Sequence, residues 1–89
     1  MIRLEVDFAY NVRASRKERR HADGRLIKCT IFRNCDDLEA ALAEARENKK
    51  AGDKIAPGHA EVVAVRGYDQ DAFLADPISA TPIYEAATL

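Results

Sequence analysis

No apolar run in this sequence approaches the ~20 residues needed to cross a bilayer, so no membrane partner is expected. The amino-terminal stretch lacks the unbroken apolar segment of a secretory signal, because Arg3, Glu5 and Asp7 fall within it. Both absences point to a cytoplasmic protein. Cysteine is scarce. Cys29 and Cys35 are the only two, and their spacing matches neither a CxxC pair nor a recurrent zinc pattern. His21 and His59 would complete a set of four ligands only at irregular spacings, so neither a metal nor a cofactor is expected. The plainer assignment makes Cys29 a small core residue on a strand and Cys35 a residue just ahead of a helix.

Catalytic signatures are missing as well. The chain contains no GxSxG, HExxH or Walker-type sequence. AGDKIAPGH, residues 51–59, has two glycines and a lysine but not in the register that cradles a phosphate. Asp36 and Asp37 resemble paired carboxylates, yet beside a helical pattern they are better read as capping groups. Asp69, Asp71 and Asp76 lack the fixed spacing and closing glutamate of a calcium loop. The expectation is a non-enzymatic protein that acts by binding.

What is present suffices for one folded unit. Eighty-nine residues, 47% hydrophobic and 33% charged, fit a single globular domain spanning residues 1–89. The net charge of −1 conceals a polarity. Residues 1–33 hold nine Lys and Arg against four Asp and Glu, whereas residues 34–89 hold five against eleven. One end is basic and the body acidic, which suits an anionic partner or head-to-tail self-association.

Alternation is the clearest structural signal. Ile2, Leu4, Val6, Phe8, Tyr10 and Val12 recur at period two, which predicts a long strand with one wet face. Residues 25–33 read as a second strand, with Ile27, Cys29 and Ile31 toward the core and Leu26 and Phe32 on the outer face. Asp23-Gly24 just before it is a turn signal, so the two strands are expected to form an antiparallel hairpin. Leu38, Ala41, Leu42 and Ala45 make a narrow helical stripe, predicting a helix over about 37–50. Asp36 is the expected N-cap, with Glu39 closing a capping box, and Gly52 the expected C-cap. Val62 to Val65 form a near-continuous apolar run within 60–68, as in an interior strand covered on both faces. DQDAFLADP, from residue 69, suits one helical turn, and TPIYEA, from residue 81, a short edge strand.

The predicted fold class is therefore α+β. A β-hairpin is followed by one helix and one or two further strands, ββαβ(β), with the helix on one face of a mixed three- or four-stranded sheet. Two arrangements fit this order. In one, the third strand lies beside the first. In the other, a terminal strand also pairs with the first, an order like the β-grasp, which by itself implies no function.

Two surfaces are candidates for binding. The segment RASRKERRHADGR, residues 13–25, reads as a polar, basic hairpin tip, and Arg13, Arg16, Lys17, Arg19, Arg20 and Arg25 are its candidate contacts to nucleic acid or an acidic protein. Such cations release counterions from phosphates, and a two-stranded ribbon fits a major groove. The segment has no aromatic residue on which a single-stranded base would stack, and the whole chain is slightly acidic, unlike most nucleic-acid binders. The second surface is apolar. Tyr10, Leu26, Phe32, Phe73, Ile83 and Tyr84 exceed what one alanine-rich helical stripe covers, which suggests a protein interface at Tyr10, Leu26, Phe32, Ile83 and Tyr84 and a homodimer formed by sheet-edge pairing. A self-associating interaction or regulatory module is the first expectation, and nucleic-acid binding through the tip is the alternative.

Overall fold

The computed structural model describes residues 1–11 and 18–89, apart from the side chain of Asn34. Along the chain lie β1 (Ile2–Tyr10), β2 (Leu26–Cys35), α1 (Leu38–Ile55), β3 (Ala60–Asp69), α2 (Gln70–Ala75) and β4 (Tyr84–Ala86). The strands form one four-stranded sheet in the order β2-β1-β3-β4. The expected ββαβ(β) class is thus the observed one. Among the described residues every pairing is antiparallel, where a mixed sheet was predicted. β2 and β3 do run in the same direction, but both flank β1 and never each other, so no parallel ladder forms. The terminal strand pairs with β3 and not with β1, which removes the β-grasp arrangement.

The alternation of β1 survives intact over residues 2–10, and Val12 lies outside the described residues. Leu4, Val6 and Phe8 are buried beneath α1 together with Val65, Ala41, Leu42 and Ala45. The predicted helical stripe is therefore the packed one, with Leu38 partly buried at its start. Alanines at 41 and 45 let the helix axis approach the sheet.

Register overturns the expected orientation of β2. Leu4 lies opposite Phe32, Val6 opposite Thr30, and Tyr10 opposite Leu26. Directly opposed residues share a face, so Leu26 and Phe32 join the helix-covered side, at 4% and 7% exposure. Ile27, Cys29 and Ile31 instead face away from the helix, opposite Ala9, Asp7 and Glu5. A core role for Cys29 is thereby excluded, and Cys29 is exposed.

The apolar run of β3 also has a different cause from the one expected. The β1–β3 ladder carries a bulge: Asp7 faces Ala64 and Phe8 faces Val62, which leaves Val63 as the extra residue. The bulge places Val62 and Val65 on the same side despite their odd separation. The run therefore reflects a shift in alternation rather than a strand sandwiched between two layers.

α1 begins one residue later and ends later than predicted. Asp37, not Asp36, is the N-cap, accepting a hydrogen bond from the Ala40 amide at 2.8 Å. Gly52 sits inside the helix. The Lys49–Asp53 pair bridges the last turns, and the stop comes from Pro57, which disfavours helical geometry at the residue before it. Ala56 accordingly adopts φ −141° and ψ 83°. Among the described residues, no helix is long and apolar enough to cross a membrane.

Candidate interaction surface

α1 covers one face of the sheet. On the opposite face, Arg3, Glu5, Asp7 and Ala9 of β1 lie between Ile27, Cys29 and Ile31 of β2 and Ala64, Arg66 and Tyr68 of β3. α2 caps one corner of this face. Phe73 packs on Tyr68 with ring centroids 5.0 Å apart, and the Arg3 guanidinium stands 4.0 Å from the Phe73 centroid.

Across the middle of this face runs an ion-pair ladder. Arg3 Nε donates to Glu5 at 2.9 Å. Arg66 donates to Glu5 at 3.3 Å and to both Asp7 oxygens at 3.1 Å. Arg19 completes it with a bond to Asp7 at 2.8 Å. Asp7 is wholly shielded from solvent. Burial alone would raise its carboxyl pKa, but the bonds and charge of Arg66, the Cys29 thiol and the charge of Arg19 hold it below the usual carboxylate range. The same contacts push Arg66 upward. A fork of two parallel N–H···O bonds is the strong form of such a pair.

The described end of the basic segment, residues 18–25, is folded back along the sheet. Arg20 bridges to Leu26, the Ile27 amide donates to the Arg19 carbonyl at 3.0 Å, and the His21 amide to the Arg25 carbonyl at 2.7 Å. Gly24 turns the chain at φ +88°, as the Asp23-Gly24 signal predicts. Arg25 is held by Glu61 at 2.6 Å and by Asp23, and these bonds raise its pKa, Glu61 contributing most. Of the six candidate cations, Arg19 and Arg25 thus meet carboxylates of the chain itself. Arg20 donates to the Gly24 carbonyl at 3.2 Å. Arg13, Arg16 and Lys17 lie outside the described residues.

The five apolar candidates are not brought together. Leu26 and Phe32 are interior. Tyr10 is half-buried and packs edge-on against His59, with centroids 5.1 Å apart. Tyr84 is half-buried beside Gly67, and Ile83 is 59% exposed at the opposite edge of the sheet. Sequence reasoning missed Asp7 and Arg66, whose pairing spans 59 positions. The only hint was the pair of acidic residues, Glu5 and Asp7, on the wet face of a strongly alternating strand.

The four possible metal ligands are likewise dispersed. Cys29 faces Asp7, the buried Cys35 donates to Glu44 at 2.9 Å, His21 pairs with Asp23, and His59 lies on Tyr10. Among the described residues, no group of three or more His, Cys, Asp or Glu side chains is placed to hold a metal ion.

A further open feature is the free edge of β2. Arg19 and Arg20 cover its start, at Leu26 and Ile27. Among the described residues, nothing pairs with its outer side from Lys28 to Cys35. No family model, curated protein or solved structure matches this chain.

Proposed function

We propose that this chain is a non-enzymatic protein-interaction module that forms a homodimer through the free edge of β2. The observation that carries the reading is this unpaired edge, residues 28–35, in a ten-residue strand without proline. Such an edge is a template for another strand. A two-fold antiparallel pairing centred near Thr30 joins two sheets of four strands into one of eight. It also extends the Ile27, Cys29 and Ile31 stripe across the junction, burying apolar surface that each monomer leaves on its outer face. In this register Lys28 opposes Phe32 of the partner copy rather than its own counterpart, and Arg33 lies beyond the paired residues 28–32.

Sedimentation analysis over a range of concentrations tests the reading. The wild type should reach twice the monomer mass, while Ile31→Lys, which brings like charges to the junction, should remain monomeric with an unchanged circular-dichroism spectrum. A wild type that stays monomeric at millimolar concentration would refute it. The nucleic-acid alternative draws less support, because phosphates would have to displace the carboxylates that already hold Arg19 and Arg25. Salt-sensitive duplex binding abolished by charge reversal at Arg16, Lys17 and Arg20 would restore it.

A further inference from the structure

The structure has an open cleft of about 530 Å³ between α1 and the far half of the sheet. Its origin is topological. α1 packs chiefly on β1 and β2, and β4 pairs with β3 only over residues 65–67. The first half of β3 is therefore left without a strand on one side and with little helix above it. Val62, Ala87 and Leu89 supply apolar lining, and Leu89 also packs against the main core. Arg46, Lys49 and Lys50 line the helix side, at spacings of three and four that put them on one helical face.

The charges in this cleft do not cancel. Lys49 is committed to Asp53 through both carboxylate oxygens. Glu61, the only acidic side chain among the described lining residues, is engaged by Arg25 at 2.6 Å. Lys50 stands 3.5 Å from Glu47, and both side chains are largely exposed. Arg46 makes no ion pair with a carboxylate among the described residues. An apolar recess with available positive charge at its mouth matches one ligand chemistry, an anionic headgroup on a short apolar body. The volume lies within the ~300–1,000 Å³ typical of small-molecule sites.

We propose that this cleft binds a small amphipathic anion, its carboxylate or phosphate held by Arg46 and Lys50 and its hydrocarbon body resting on Val62, Ala87 and Leu89. The site lies away from the free edge of β2, so it is independent of the dimer proposed above.

Titration with octanoate, octyl phosphate and octanol, followed by backbone amide shifts, tests the proposal. Both anions should move Val62, Ala87 and Leu89, and octanol should bind at least about tenfold more weakly, the scale of one lost charged contact. Arg46→Glu with Lys50→Glu should weaken the anions by a similar factor and leave octanol binding unchanged. These side chains lie outside the core, and the wild-type pattern of remaining amide shifts will report an intact fold. A preference between octanoate and octyl phosphate supports the proposal and identifies the headgroup. No shift at these residues at millimolar anion, or octanol binding equal to octanoate, would overturn it.

Discussion

Asp7 is the only charged residue without solvent exposure among the described residues, and its neighbours determine two measurable properties of the protein. Its carboxyl pKa is lower in the folded chain than in the unfolded one, so its ionised form stabilises the fold at all pH values above the ordinary carboxylate range. That contribution is lost as pH falls below about 4 toward the depressed folded value. Thermal melts between pH 5 and pH 2 should show a falling midpoint. Asp7→Asn should flatten this acid limb and cost about 2 kcal/mol at neutral pH, because Arg66 and Arg19 lose a charged acceptor while Arg66 keeps Glu5. The same carboxylate controls Cys29. Partial desolvation of the sulfur against the sheet, followed by the hydrogen bond and charge of Asp7, pushes this thiol up to about 11. Although exposed, Cys29 should react with iodoacetamide at pH 7 roughly a hundredfold more slowly than a free thiol. In Asp7→Asn that rate should rise. Cys35 is held at about 11 too, by its bond to Glu44 and by burial, so it adds no fast phase.

At the scale of elements, the start of α1 and the β3–β4 pairing meet at Gly67. A side chain there would stand 3.2 Å from Tyr84 Cβ and 3.3 Å from a Leu38 methyl. Gly67 needs no unusual backbone angle; its requirement is for space. Gly67→Val should destabilise by about 1–3 kcal/mol through overpacking, read as a lower urea midpoint with an unchanged m-value. Which elements exist was legible from short-range pattern: the alternation of β1, the stripe of α1, the turn at Asp23-Gly24, and the short α2 and β4. What escaped was set by distant partners. The face taken by Leu26 and Phe32 follows from register with β1, and a slip of one residue inverts every side chain. The continuous run at Val62–Val65 conceals a bulge visible only against Asp7 and Phe8. The helix end moved because Pro57 limits it more strongly than an interior glycine does.

For the molecule as a whole, charge polarity was readable from composition, but its use was not. The basic segment is expected from sequence to project into solvent. In the described part, Arg19 and Arg25 instead turn back onto Asp7 and Glu61, since a carboxylate on a nearby strand satisfies a guanidinium as well as an external phosphate does. The Asp7–Arg66 ladder, the free β2 edge and the cleft beside α1 are all products of strand order, which composition and periodicity do not encode. The dimer and the anion cleft occupy different sides of the fold. Adding octanoate should therefore leave the sedimentation midpoint of self-association unchanged.

The central place of β1 bears on how the protein is made. Of the strands of this sheet, β1 is synthesised before the others, and it is flanked by β2 and by β3, whose partner for Ile2 is Asp69. The early hairpin must therefore wait, with one flank bare, until residues 60–69 have been synthesised. Loop closure across such a separation is slow, and during that interval the nascent hairpin offers a sticky flank to other nascent copies. Slowing translation beyond codon 35 should lower the soluble yield of this protein, while excess chaperone should restore it.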